Sequence, residues 1–415
     1  MRVGLLTQWF DPEPGPAALP GVLARGLVER GHHVQVVTGF PNYPTGRIAP
    51  GYQVERRSNE VLDGVRVRRV ALYPSHDSSS VRRVANYASF GLSASISGVG
   101  ALRDLDAVWV NYSPITIAWP MWVSRFAFRT PIVTHVLDLW PDTLLAGGFA
   151  REGASQRALQ RVLDAWCGAM YRSSSSVAYI SPGVGHVLEQ RGVPEDKLEY
   201  VPMWADEDVF RPEGASLRSE YGVDPNRIVL LYAGALGEAQ GLDTLLDACA
   251  LVTDPRFECI IAGSGVSESS LRARATNLGL TNVRFIGRVP QSRMTDLMAT
   301  GDVNYVALRP HALSPITMPS KTQAALASGR PILVAARGDV ADVAVESEAG
   351  IVADPGDPAS IAAAITDICA LGHEGLRAMG AKGRDYYRRT FSVDHGVTRI
   401  ESLLERAIVE RKRGR

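Results

Sequence analysis

Short apolar runs alternate with longer amphipathic segments from one end of the chain to the other. Apolar runs bounded by Gly, Pro, Asn and Asp predict buried strands, and the intervening periodic segments predict helices, the pattern of a parallel α/β protein. In the first half the predicted strands are Val3–Thr7, His33–Thr38, Val65–Ala71, Ala107–Asn111, Ile132–Leu137, Val177–Ile180 and Leu198–Val201. The helix AALPGVLARGLVERG, closed by Gly31, lies between the first two. A loop, Gln8–Pro16, therefore sits at the carboxyl end of the first strand, where α/β sheets place ligands.

A second series of strands is predicted at Ile228–Ala233, Cys259–Ala262, Val283–Ile286, Val303–Leu308, Ile332–Ala335 and Ile351–Ala353. Helices are predicted between them at Gly241–Val252, Val266–Leu278, Gln291–Ala299, Ser320–Ala327 and Pro358–Leu371. The polar stretch Met203–Asn226, with Pro212 and Pro225, reads as a linker. The expected organisation is residues 1–205, then 206–385, then a helix and basic tail over 386–415. The fold class is α/β, with two Rossmann-like domains facing a central cleft and the last helix returning to the first domain.

Composition narrows the function. Hydrophobic residues make up 46% of the 415 residues and charged residues 21%, enough to fill two cores. Lys+Arg and Asp+Glu both number 44, so the balance of charge gives no argument for nucleic acid as a partner. The 4 cysteines lack metal-ligand or disulfide spacing and suit a reducing compartment, so a cytoplasmic protein is expected. No signal peptide and no apolar run long enough to span a bilayer is expected. Ser80–Gly100, with Arg82 and Arg83 ahead of Tyr87, Phe90, Leu92 and Ile96, reads either as an ordinary packed helix or as one lying on the inner face of a membrane.

Four elements stand at the same end of successive strands in the second half: AGALGEAQGLDTLL, IAGSGVSES, FIGRVP and MPSKTQAALASGRPIL. Glycines at 234, 237 and 241 permit close approach of backbone, and a following helix start suits an anion such as a diphosphate. Neither GxGxxG nor a Walker loop is present. Lys321 falls in the first turn of a helix, where a cation opposes the helix dipole unless it shares an anion.

With these motifs, and with WFDPEPGPAA, VVTGFPNYPTG and LDLWPD, the chain resembles the family 4 retaining glycosyltransferases of the GT-B fold. It is most similar to the N-acetyl-L-fucosamine transferase-like branch of bacterial surface-polysaccharide biosynthesis. The resemblance implies transfer of a hexosyl unit from a nucleotide sugar, UDP-linked, to a glycan or lipid-linked acceptor, with no cofactor and no metal. It places Gly234, Leu236, Gly237, Gln240, Gly241, Pro319, Ser320, Lys321 and Thr322 around the donor. Ser264, Gly265, Gly287, Arg288 and Val289 would lie by the nucleotide, and Gly15 by donor phosphate and acceptor. Asp138 matches an acidic catalytic position of the first domain; His135 and Glu13 are further candidates. The acidic clusters Asp104–Asp106 and Asp206–Asp208 are not expected to hold metal.

The chain also departs from the family. Ile316 and Ala324 stand where many members carry glutamates, one of which holds the ribose, and Gln240 replaces a common lysine. Thr322 or Gln323 is the expected substitute for ribose contact. Two alternatives stay open on sequence: a sugar-nucleotide 2-epimerase, which shares the fold, and a non-catalytic donor-binding paralogue.

Overall fold

The computed structural model describes residues 1–76, 79–143 and 154–413. The chain forms two compact units, Met1–Pro202 with Gly396–Arg415, and Met203–His395.

The strands of unit 1 are β1 (Arg2–Leu6), β2 (His33–Gly39), β3 (Arg57–Leu62), β4 (Val65–Val70), β5 (Ala107–Asn111), β6 (Ile132–Val136), β7 (Ser176–Tyr179) and β8 (Leu198–Tyr200). Among the described residues they form one sheet in the order β3-β4-β2-β1-β5-β6-β7-β8. Every pair is parallel except β3 with β4. The strand order reverses at β1, which pairs with β2 on one side (Leu5 opposite Val36) and β5 on the other (Leu5 opposite Trp109). Its residues Val3, Leu5 and Leu6 are wholly buried. Helix α1 (Leu19–Glu29) buries Leu19, Leu23 and Leu27, one residue per turn on one face. Each fully buried leucine contributes roughly 1.5–3 kcal/mol.

Strand β3 was not expected from the sequence. Its residues RSNEVL alternate between exposed and half-buried positions, and it lies at the sheet edge. An edge strand with no buried face carries no apolar run to be recognised. Helix α2 (Ser80–Ser93) starts on a cap in which Ser79 Oγ accepts from the Arg82 N–H. Phe90 is wholly buried, so the outward apolar positions are Val81, Val84 and Leu92, with Ile96 just beyond the helix. Among the described residues the remaining α-helices of this part are α3 (Ala118–Trp122), α4 (Ala154–Ser173) and α5 (Pro182–Gln190).

Unit 2 contains β9 (Ile228–Ala233), β10 (Phe257–Ala262), β11 (Val283–Gly287), β12 (Val303–Ala307), β13 (Ile332–Ala335) and β14 (Gly350–Ala353). They form an all-parallel sheet in the order β11-β10-β9-β12-β13-β14. Alternate residues of β9 enter two different cores: Ile228, Leu230 and Tyr232 join one, Val229 and Leu231 the other. That period of two explains the near-continuous apolar runs, since both faces of the sheet are covered. The helices are α6 (Leu242–Leu251), α7 (Glu268–Asn277), α8 (Met294–Thr300), α9 (Ser320–Ala327), α10 (Asp339–Glu346) and α11 (Pro358–Thr390), the last broken at Gly372.

The stretch expected as a linker is packed against unit 2. Ala205, Leu217 and Val223 enter the core that contains Val229 and Leu231, and Arg218 pairs with Asp302. Its polar residues conceal a spaced set of apolar anchors. Helix α12 (Val393–Arg413) joins unit 1 from Gly396 onward. There Glu401 accepts from Arg30 at 2.7 Å and lies 2.6 Å from His32 Nε2, and Arg406 pairs with Glu199 at 3.0 Å. Gly414 and Arg415, the end of the basic tail, lie outside the described residues.

Candidate functional site

The strand order of unit 2 reverses between β9 and β12, and the crevice outside the carboxyl ends at such a reversal is where doubly wound sheets bind ligands. Three loops are laced together there by backbone. The Gly234 N–H donates to Ala262 O at 2.9 Å, the Gly263 N–H to Gly287 O at 2.8 Å, and the Leu236 N–H to Ser264 O at 3.0 Å. Ser267 N–H returns to Leu236 O at 2.9 Å. The loops after β9, β10 and β11 thus form one surface, which brings together Gly234, Leu236, Ser264 and Gly287.

Two glycines make this approach possible. Gly263 has φ +142°, and a Cβ there would sit 1.8 Å from Gly234 O. Gly234 has φ +152°, and a Cβ there would sit 2.6 Å from Lys321 Cε and 2.8 Å from Nζ. At Gly263 a side chain would meet fixed backbone, and at Gly234 it would displace the end of Lys321. We expect Gly263→Ala to destabilise unit 2 by at least about 3 kcal/mol through steric overlap and unfavourable φ, as read by denaturant unfolding. An unchanged midpoint would remove the packing argument.

Lys321 comes from the first turn of α9 and lies against Gly234. Its Nζ stands 5.2 Å from the Tyr232 ring centroid, within reach of a cation–π attraction. No carboxylate lies within 4.0 Å of it among the described residues. Desolvation lowers its pKa below the usual lysine value. A desolvated ammonium without a counter-charge, beside a loop too close for side chains, is a prepared place for an anion.

The other residues expected around the donor fall into two groups. Ser264, Gly265 and Arg288 are exposed on the loops, Gly287 and Val289 are half-buried, and Ser320 is exposed at the start of α9, behind its cap Pro319. Gln240 instead serves the loop itself, since its Oε1 accepts from the Gly237 N–H at 3.1 Å. A short turn, Glu238–Gln240, precedes α6, so the helix begins at Leu242 and not at Gly241 as expected. Thr322 and Gln323 are 0% and 2% exposed. They are therefore enclosed by protein and not at the surface where a ribose contact was expected.

Sequence reasoning missed Tyr232 and Arg309. The Tyr232 hydroxyl donates to Ala235 O at 2.5 Å, and its ring underlies Lys321. Arg309 follows β12, donates from Nε to Glu238 O at 3.1 Å and pairs with Asp243 at 2.7 Å. It ties the loops on the two sides of the strand reversal. Its position directly after a predicted strand was the available signal.

In unit 1 the loops after β1, β5 and β6 carry the candidates. Asn111 Nδ2 donates to Thr7 Oγ1 at 3.2 Å, joining the ends of β5 and β1. Asp138 follows β6 and is exposed, with a hydrogen bond from Ser113. Desolvation by the surrounding protein raises its carboxyl above the usual aspartate range, and the Ser113 bond opposes that.

Glu13 is buried, with Oε1 accepting from the N–H groups of Asn42 at 2.7 Å and Tyr43 at 2.8 Å. Its Oε2 accepts from Phe10 N–H at 3.1 Å. Burial raises its pKa, while those three bonds lower it. The carboxylate clamps the loop after β1 to the loop after β2. Gly15 opens the short turn Gly15–Ala18 beyond it. His135 lies inside the sheet and not in the loop: it is 0% exposed, with Nε2 2.9 Å from Val201 O. Burial lowers its pKa to about 4, so the imidazole is neutral above that pH.

Two family models match the two halves of the chain: "Glycosyl transferase 4-like domain" over residues 15–204 and "Glycosyl transferases group 1" over residues 215–386. The chain belongs to the glycosyltransferases. Relatives of this glycosyltransferase include WcaI of Escherichia coli, named for colanic acid biosynthesis, 24% identical over 79% of this chain and 81% of that one. A D-inositol 3-phosphate glycosyltransferase of Thermomonospora curvata is 24% identical over 91% of this chain and 87% of its own. The solved structure of Anabaena HepE with UDP superposes with a TM-score of 0.69 at 18% identity, covering 98% of this chain and 100% of that one. The fold is therefore GT-B, with two Rossmann-like α/β domains. The transferase names favour transfer over the epimerase alternative.

Proposed function

We propose that this enzyme transfers a hexosyl unit, with retention of configuration, from a UDP-sugar to a glycan or lipid-linked acceptor. The observation that carries the donor reading is the uncompensated Lys321 ammonium against the Gly234 loop. Unit 2 holds the nucleotide sugar with its diphosphate on Lys321; unit 1 supplies the acceptor side. The acceptor oxygen bonds the anomeric carbon as the bond from that carbon to the diphosphate breaks. The hydroxyl proton passes to the departing phosphate oxygen. Asp138 orients hydroxyl groups, and Lys321 stabilises the charge left on the diphosphate. HepE, solved with UDP and with UDP-glucose, supports a uridine donor. WcaI, named for colanic acid biosynthesis, supports a place in polysaccharide synthesis, and the motif VVTGFPNYPTG supports the branch similar to N-acetyl-L-fucosamine transferases.

The test is a nucleotide-sugar thermal-shift panel followed by turnover with the best donor. A ligand present at 100 times its Kd stabilises the folded state by about 2.7 kcal/mol. We expect UDP-sugars to raise the melting temperature, and turnover to persist in EDTA because Lys321 supplies the positive charge. No shift with any nucleotide sugar would reject the donor site, and loss of turnover in EDTA would reject the metal-free reading.

The enzyme works in the cytoplasm, at the inner face of the membrane when its acceptor is a lipid. Among the described residues no helix is long and apolar enough to cross a bilayer. The outward residues Val81, Val84, Leu92 and Ile96 of the α2 region supply an apolar strip for shallow contact. Flotation with liposomes should fall several-fold in a Leu92→Ser/Ile96→Ser variant. Equal flotation of both proteins would dismiss that contact.

A further inference from the structure

Glu13, Gly15 and Asp138 of unit 1 stand after the carboxyl ends of its strands. The opposite edge carries a separate constellation. Arg125 and Arg129 precede β6, Arg172 ends α4 just before β7, and Lys197 immediately precedes β8. Arg411 of α12 joins them, and all line one cavity of about 630 Å³. A strand of this sheet spans about 15 Å, so this cavity and the Asp138 loop lie at different edges.

Part of this charge has a structural use. Lys197 Nζ donates to Ser174 O at 3.0 Å, and Arg125 Nε donates to Ser173 O at 3.1 Å. These cations cap carbonyls at the end of α4, where the helix dipole favours positive charge. The guanidinium fork of Arg125 keeps its terminal N–H groups beyond that bond.

Capping does not account for Arg129 and Arg172, which are both exposed. Arg129 adopts φ +54°, a conformation unusual for a side chain of its size. No carboxylate lies within 4.0 Å of Arg125, Arg129, Arg172 or Lys197 among the described residues. The acidic residue on the lining is Glu410, beside the four cations Arg125, Arg129, Arg172 and Lys197. Like charges gathered around one concavity repel one another unless an anion is shared. Guanidinium forks match phosphate oxygens in geometry, and the volume suits a small ligand or headgroup.

We propose that this pocket binds a phosphate-bearing anion, at a site separate from that of the sugar donor. Phe126, 67% exposed on the lining, places an apolar ring beside the cations. That pairing favours the headgroup of an anionic phospholipid as the source, with a free phosphate as the other source of the same chemistry.

The experiment compares the full chain with an Arg129→Glu/Arg172→Glu variant, both exposed positions whose reversal leaves the core intact. One arm measures sedimentation with phosphatidylglycerol-containing vesicles, against vesicles of phosphatidylcholine alone. The other titrates inorganic pyrophosphate calorimetrically in a Lys321→Met background, so that the donor loop does not contribute. We expect at least a tenfold loss of vesicle binding in the double variant, and weakening of wild-type binding by salt. Pyrophosphate binding lost in the variant, without vesicle binding, assigns the pocket to a soluble phosphate. Equal binding by both proteins in both arms, or no binding at low salt of vesicles to wild type and of pyrophosphate to Lys321→Met, overturns the proposal. Equal melting temperatures show that the variant is folded.

Discussion

Lys321→Met should weaken binding of the nucleotide sugar about 100-fold while leaving the free protein at least as stable as wild type. A hydrogen bond to a charged group is worth about 1.5–3 kcal/mol, and a diphosphate offers more than one oxygen. The unusual half of this expectation is stability. Lys321 Nζ has no carboxylate within 4.0 Å among the described residues and sits against the Tyr232 ring. Its ammonium is carried at a desolvation cost that methionine does not incur, and sulfur packs well on an aromatic ring. A lysine retained for packing alone would show the reverse, a lower melting temperature with donor affinity intact.

The same residue sets a pH dependence. Desolvation lowers its folded pKa below the usual lysine value, so the ammonium is lost at a lower pH than from an ordinary lysine. Donor affinity should therefore decline as pH rises through that alkaline window, and Lys321→Met should show no such limb. Stability of the free protein runs the other way. Between the lowered folded pKa and the ordinary unfolded one, the unfolded chain holds more protons, so stability rises with pH. Calorimetry of donor binding and thermal melts across the alkaline range test both signs.

Asp138→Asn should lower kcat about 100-fold with the donor Kd within about twofold, an effect confined to the transfer step. Asparagine keeps the size and much of the hydrogen bonding with Ser113 but removes the charge. Because surrounding protein raises the Asp138 pKa, wild-type activity should fall on acidification earlier than an ordinary aspartate would dictate. The variant should lack that limb. His135 is wholly buried in the sheet with its Nε2 beside Val201 O, and burial lowers its pKa to about 4. A kcat for Asp138→Asn equal to wild type would transfer the role to another residue.

Much of the fold was legible because its signals are local. Ile228–Ala233 and Ile332–Ala335 are strands with the expected limits, since buried parallel strands read as uninterrupted apolar runs. Strand β3 and helix α10 were not, the first because its residues lie exposed at an edge. The packed stretch after Pro202 was read as a linker because anchors such as Leu217 and Val223 are dispersed among prolines and acids. In the donor region, the glycine loops and Lys321 were visible as strand–loop–helix units. The assignment of His135 drew on its nearness in sequence to Asp138, and that of Glu13 on its place in the loop after the first strand, neither of which says where a side chain points.

The sequence alone determined two series of buried strands, the loops at their carboxyl ends and the chemistry those loops offer, because hydrophobic periodicity and turn residues act over a few neighbours. Only the tertiary structure decided which groups meet. The order β11-β10-β9-β12 sets the loops of β9 and β12 side by side, and brings Lys321 onto Gly234 and Tyr232. It enclosed Thr322, turned Glu13 into a clamp between two loops, and sank His135 into the sheet. Strand order and crossovers join residues far apart in the chain, and no local pattern encodes their distance. The diphosphate site we propose, foreseen as a set of glycines, comes in the folded protein to one desolvated cation packed against Gly234.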